Sequence, residues 1–312
     1  MWNKLIRKFL KVLVTGANGL LGQKLTKLLD LNTEVQAIAT ARKPIGYSLT
    51  KSEFRMLDIM DQNETHKVIT EYNPDVVVNT AAMTNVDQCE TEREACWKAN
   101  VTGVENLVAA CEKAKSFLVH VSTDFIFDGT FGPLDETAIP KPVNYYGESK
   151  LAGEKVVMNS KLDWAILRTV LVYGITEDMS RSNIVLWVKK NLEEGKTINV
   201  VDDQWRTPTL AEDLAMGCYL AAIKKAKGIF HISGEKMMTP YDIAIETADF
   251  FGLDKSLINK TDSSKFKQTA ARPLKTGFII EKAKRQLGYT PHTFREGLEV
   301  IGNQFKGNRY SV

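Results

Sequence analysis

Val12-Leu13-Val14-Thr15-Gly16-Ala17-Asn18-Gly19-Leu20-Leu21-Gly22 decides the fold. A short apolar run opens into three glycines spaced G-x-x-G-x-x-G, and apolar positions then recur with helical period from Leu20 to Leu31. That order predicts a buried strand, a tight turn and a helix. Gly16 permits the turn, Gly19 lets backbone approach a pyrophosphate, and Gly22 lets helix and sheet pack closely. The first N–H groups of the helix and its positive dipole end then face an anion. Asn18, Leu20 and Leu21 complete the expected phosphate loop. Glycine spacing alone is weak; between a strand and a helix it is strong.

Outward from this unit, short apolar runs alternate with helical patterns. Strands are expected at Val35–Ala39, Arg55–Leu57, Asp75–Asn79, Phe117–Val121 and Trp164–Leu167. Helices are expected at Glu92–Ala114 and Tyr145–Asn159, with a Gly/Pro-rich loop from Asp128 to Val143. Alternation of this kind predicts an α/β fold, a Rossmann-type doubly wound parallel sheet. After Gly174 the pattern turns mostly helical, with Gly228–Gly234 as one more sheet strand. The expected organisation is a Rossmann domain from 1–173 plus 207–234, and a smaller, mostly helical substrate domain from 174–206 plus 235–312.

Composition removes several classes. The 312 residues carry 41 basic and 38 acidic side chains, a net charge of +3, which gives no electrostatic case for nucleic acid or anionic membrane. Hydrophobic residues at 44% and charged residues at 25% describe a folded globular chain. No apolar run approaches the roughly 20 residues of a membrane helix, and Met1–Lys8, basic and amphipathic, lacks a signal-peptide core. A short extension is the reading there, and a cytoplasmic location is expected. Cys89, Cys96, Cys111 and Cys218 lack metal or disulfide spacing and read as buried thiols. His66, His120, His231 and His292 share no spacing, so no metal site is expected. Trp97, Trp164 and Trp187 are expected in the core.

The end of the second strand discriminates between dinucleotides. An NAD site places a carboxylate there, whereas this strand ends Ala39-Thr40-Ala41-Arg42-Lys43. Arg42, helped by Lys43, is placed for a 2′-phosphate, the alternative being a solvated basic turn. NADPH is therefore favoured, with NADH still possible. Asp58 and Ile59, after the following strand, stand where an adenine edge can bind.

Tyr146 lies four residues before Lys150 in a helical stretch, so both face one cleft; Tyr145 instead pairs with Ser149. A nearby ammonium favours phenolate and is expected to lower the tyrosine pKa from about 10 toward working pH. That tuning suits a general acid for a carbonyl. Lys150 can also hold ribose hydroxyls of the nicotinamide. Thr123, at the C-terminal end of a strand, can donate to the substrate oxygen. Asn100 either positions an active-site water or the lysine, or bonds to helix backbone. Arg272 either grips a substrate diphosphate bidentately or sits in a surface ion pair.

On these residues the chain resembles the extended short-chain dehydrogenases/reductases, and among them the dTDP-4-dehydrorhamnose reductase family. The resemblance runs from Lys11 nearly to the end, through Asn79–Asp87, Ser122–Gly129, Tyr146–Glu154, Arg168-Thr169, Val172–Gly174, Asp203–Thr209 and Ala271–Pro273. It implies NAD(P)H-dependent reduction at C4 of a 4-keto sugar nucleotide, with Thr123, Tyr146 and Lys150 as catalytic triad. It also implies cofactor contacts at Thr80, Ala81, Ala82 and Met83. Around the substrate it puts Thr84, Val86, Thr123, Asp124, Phe125, Trp205 and Arg272. Met83 and Trp205-Arg206 depart from residues frequent in the family, which leaves the sugar open. A homodimer is compatible with the resemblance, and no magnesium ligands can be assigned here.

Phe125 stands where related 4,6-dehydratases carry the glutamate that moves a proton, so elimination is disfavoured. Two readings remain beside the reductase. One is a nucleotide-sugar epimerase of the same superfamily. The other is a cofactor-binding regulatory subunit similar to that of methionine adenosyltransferase.

Overall fold

The computed structural model describes residues 9–177, 182–266 and 268–307. Met1–Lys8, read above as an extension, lies outside them. In chain order the first part runs β1 (Leu10–Thr15), α1 (Leu20–Leu31), β2 (Val35–Ala41), β3 (Glu53–Met56), α2 (Gln62–Tyr72), β4 (Val76–Asn79), α3 (Val86–Thr91), α4 (Arg93–Trp97), α5 (Gly103–Ala114), β5 (Phe117–Thr123), α6 (Tyr145–Met158) and β6 (Trp164–Thr169). It continues with β7 (Val172–Tyr173), α7 (Ile184–Glu193), β8 (Ile198–Val201), β9 (Thr209–Leu210), α8 (Ala211–Lys224), β10 (Gly228–His231), α9 (Pro240–Phe251), β11 (Ile258–Thr261), α10 (Glu281–Leu287) and α11 (Phe294–Gly307).

Seven strands form one parallel sheet in the order β10-β6-β5-β4-β1-β2-β3. The Rossmann-type α/β fold is therefore present. Strands covered on both faces explain why β1, β4 and β6 read as nearly continuous apolar runs. Leu13, Val77, Leu118 and Ile166 pack with Val68, Leu107 and Val157 on one face. Val12, Val14, Val78 and Val119 pack with Leu25, Leu29 and Leu214 on the other. Connections from β1 run to opposite sides, through β2 and through β4, which opens a crevice at the C-terminal strand ends. The glycine loop and the end of β4 both reach that crevice.

Beyond β6, the pairs β7–β9 and β8–β11 make two small parallel sheets. Tyr173, Met238, Ile243, Phe294 and Leu298 share a separate core there. Ile280, Ala283, Leu287 and Tyr289 instead return to the core of the large sheet. No helix among the described residues is long and apolar enough to cross a membrane.

Three expectations change. The helix expected over Glu92–Ala114 is interrupted: α4 ends at Trp97, a π turn occupies Lys98–Thr102, and α5 begins at Gly103. Periodicity does not reveal the extra residue that a π turn inserts. The strand expected at Arg55–Leu57 ends one residue earlier and starts two earlier. Trp97 and Trp187 are 41% and 39% exposed rather than core. Trp97 packs beside Tyr145 at the break after α4, and the buried stripe of α7 is Val185, Leu186, Val188 and Leu192.

Candidate active site

The phosphate loop is built almost wholly from backbone. Gly16 turns at φ +72°, and a Cβ there would stand 2.8 Å from the Ala81 nitrogen. At Gly22 a Cβ would stand 2.2 Å from the Gly16 carbonyl oxygen, an impossible contact. Leu20 and Leu21 open α1, whose N-terminus at Gly19 receives no side-chain cap among the described residues. Its first N–H groups are thus left for an anion. The Asn18 amide donates to the Lys43 and Pro44 carbonyls at 2.9 and 3.1 Å, tying the loop to the turn after β2. The Thr80 hydroxyl donates to the Thr15 carbonyl at 2.6 Å, which locks β4 onto β1 at the switch point. Ala82 and Met83 follow on the same half-buried turn. This close, uncapped cradle fits a dinucleotide pyrophosphate.

The flanks of the cradle differ. Arg42 and Lys43 are both exposed. Asp58 accepts from the Met60 N–H, and the Ile59 carbonyl is held by the Asn106 amide at 2.9 Å.

At the other end of the crevice, α6 begins with Asn144 as N-cap, its side chain accepting from the Gly147 N–H at 2.8 Å. The helix carries Tyr146 and Lys150 into the fold, only 8% and 3% exposed. Thr123 ends β5 beside them, and its hydroxyl is a hydrogen-bond partner of the Tyr146 phenol. The Lys150 ammonium donates to the Val121 carbonyl at 2.7 Å. The structure thus brings Thr123, Tyr146 and Lys150 together. Phe125 packs edge-on against the Tyr146 ring, with centroids 5.7 Å apart. Val86 and Met83 border the same cluster, while Thr84 is exposed.

The electrostatics depart from expectation. Burial is the leading cause that raises the Tyr146 pKa, and the Thr123 hydrogen bond offsets it only in part. Lys150 is not among the leading causes acting on Tyr146, and the net shift is upward, so the expected lowering is not met. Burial instead acts on Lys150 itself and brings its pKa down to about 8, against the opposing pull of Glu154. A helix-face argument supplies proximity; it does not supply the desolvation that both groups share.

Two residues expected around the substrate have partners within the chain. Asp124 is buried and engaged: it accepts from Thr276 and, at 3.1 Å, from Thr123, and it stands 3.6 Å from the Arg206 guanidinium. Burial raises its pKa, with Arg206 opposing. Arg272 forms a bidentate pair with Asp87, at 3.0 and 2.7 Å, so the ion-pair alternative is the one observed. Asn100, inside the π turn, donates to and its oxygen accepts from the Met83 backbone, and it donates to the Ser149 hydroxyl at 2.9 Å. Asn100 therefore ties the turn after β4 to α6, a geometry that neither alternative described. Trp205 is 40% exposed, with its backbone N–H on the Leu274 carbonyl.

Sequence reasoning missed the tethers of the 270–276 segment. Asp87 accepts from the Ala270 N–H, the Asn144 amide donates to the Ala271 carbonyl, and Thr276 donates to Asp124. Arg206 adds hydrogen bonds to the Pro273 and Leu274 carbonyls. Asn144 was legible as a helix cap. The other contacts join residues up to 185 apart and leave no local signal.

Residues 10–306 match the family model described as RmlD substrate binding domain. The chain belongs to this family. It is 35% identical over 259 residues to methionine adenosyltransferase 2 subunit beta of Pongo abelii, covering 81% of this chain and 76% of that protein. It is 34% identical over 282 residues to dTDP-4-keto-6-deoxy-D-glucose reductase of Streptomyces niveus, covering 89% and 91%. The structure of dTDP-4-dehydrorhamnose reductase from Bacillus anthracis, solved with NADP, superposes with a TM-score of 0.83 at 28% identity. That match covers 95% of this chain and 100% of the other.

Proposed function

We propose that this protein is an NADPH-dependent reductase of the 4-keto group of a nucleotide-activated deoxysugar, with dTDP-4-dehydrorhamnose as the favoured substrate. The observation that carries the reading is the buried convergence of Thr123, Tyr146 and Lys150 beside a phosphate cradle built mainly of backbone. The similarity to two sugar-nucleotide reductases supports it. Gly16, Gly19 and Gly22 with the α1 N-terminus would hold the pyrophosphate, Arg42 the 2′-phosphate, and Lys150 the nicotinamide ribose. When bound, the cofactor supplies hydride to the carbonyl carbon.

The chain's own residues supply the rest. Tyr146, kept protonated by burial, is the acid that passes its proton to the carbonyl oxygen. Thr123 turns its hydroxyl from Asp124 to that oxygen as a second donor. Lys150 would act through the nicotinamide ribose it holds rather than on the phenolate. Asp124, held by Thr276 and Arg206, fixes Thr123 and joins the 270–276 segment to the catalytic strand. Segments 174–206 and 235–312 form the proposed substrate-facing domain, with residues 280–289 docked on the large sheet.

A second reading has its own observation: a methionine adenosyltransferase subunit relative matches at 35% identity. A panel of dTDP- and UDP-linked 4-keto sugars, read by NADPH oxidation and by product NMR, tests the first reading. Turnover of one member is expected. No turnover, joined to capture of a methionine adenosyltransferase catalytic subunit, would establish the second.

A further inference from the structure

Beneath Lys150, one helical turn along α6, lies a buried ion pair. Glu154 is 0% and Arg168 2% exposed. The guanidinium grips both carboxylate oxygens, Nε to Oε1 at 3.0 Å and Nη2 to Oε2 at 2.7 Å. Arg168 sits on β6 in register with Ser122 of β5 and His231 of β10, so all three face the same side of the sheet. Arg168 Nη1, Ser122 Oγ and His120 Nε2 are buried there without a partner among the described residues. A sealed ion pair is a poor stabiliser, since apolar residues of similar volume often serve as well or better. Stability therefore does not account for it.

Its position does. Lys150 and Glu154 are an i, i+4 pair, which places their side chains on one helix face. The groups bearing on Lys150 are Glu154 from α6 and Cys96 from α4, both favouring the ammonium. His120 of β5 also faces Lys150 and is held neutral by burial. Cys89 of α3 and Asp124 after β5 act on Tyr146 instead. Glu154 is thus the leading group that opposes the desolvation of Lys150.

We propose that the Glu154–Arg168 pair is a positioning device for Lys150, with the two partners doing different jobs. Glu154 keeps Lys150 charged in a buried cleft. Arg168, by occupying both carboxylate oxygens, prevents Glu154 from capturing the ammonium directly. Lys150 then stays on the Val121 carbonyl with its remaining donors free for the crevice. The catalytic consequence rests on the reductase reading; the charge state of Lys150 does not.

The test is a titration of the Lys150 amine by NMR in ¹⁵N-lysine-labelled full-length protein, with the signal assigned by its loss in Lys150→Met. In the Glu154→Gln/Arg168→Met double variant, which removes both charges of the ion pair together, the midpoint should fall by about one pH unit. In Arg168→Lys, which keeps the charge but loses the two-pronged grip, a freed Glu154 oxygen should reach Lys150 and raise the midpoint. Shifts of opposite sign separate this role from a merely structural one. An unchanged midpoint in the folded double variant overturns the proposal. If the double variant does not fold, an unchanged midpoint in Arg168→Lys overturns it. Where the wild type reduces a 4-keto sugar, the alkaline limb of kcat/KM should move with the midpoint. Where it does not, the titration still decides the matter.

Discussion

The two ends of the crevice are built from different materials. The cradle around Gly16, Gly19 and Gly22 is backbone, and its chemistry is fixed by the absence of side chains. The catalytic end, around α6 and β5, is made of side chains whose charges depend on burial and on partners far away in sequence. The first kind of site is rigid and insensitive to pH. The second is tunable and holds its charges at a cost in stability. Reduction of a carbonyl needs both: a fixed place for the cofactor and an adjustable proton.

The contrast can be broken most severely at the cradle. Gly22→Val puts side-chain atoms into the Gly16 carbonyl and should raise the NADPH Kd by a factor of about 100 or more, as read by calorimetry. Lys150→Met at the opposite end should do something different. It should abolish turnover and yet stabilise the fold at pH 7 by about 1–3 kcal/mol in urea unfolding. The sign follows from a folded pKa of about 8 against the ordinary value of 10.5. Between those values the unfolded chain binds the extra proton, so stability rises with pH through this window, and the charged lysine is a burden below it. A destabilised Lys150→Met protein would remove the claim that this charge is held against the fold.

His120 and His231 sharpen the comparison further. Burial holds His120 well below the ordinary value of 6.5 and brings His231 to about 3. As pH falls below about 6.5 the unfolded chain takes up these protons first, so each contributes a loss of about 1 kcal/mol per pH unit. Urea titrations from pH 7 to 4 should show the decline, and His231→Gln should flatten it. The smallest effect belongs to Arg42, which is exposed. Arg42→Ala should weaken NADPH relative to NADH by about tenfold, some 1.4 kcal/mol, in parallel binding titrations.

The same division explains what the sequence discloses. The cradle was legible because three glycines, a strand and a helix are contiguous, and the sheet followed from the alternation around them. Tyr146 and Lys150 were legible because helical spacing is local. What spacing could not show is that burial outweighs every neighbouring charge at both Tyr146 and Lys150. The partners of Asp124 and Arg272, namely Thr276 with Arg206 and Asp87, come from distant segments and left no local signal. The π turn at Lys98–Thr102 was hidden because one inserted residue barely disturbs an apolar period.

The most direct test of the account compares wild type with Tyr146→Phe, following NADPH oxidation with dTDP-4-dehydrorhamnose and NADPH affinity in parallel. Retained affinity with kcat/KM lowered by about 10²–10⁴ is the predicted result, because only the proton donor is removed. A wild type that binds NADPH but does not reduce the sugar, or a Tyr146→Phe variant that turns over undiminished, would contradict it.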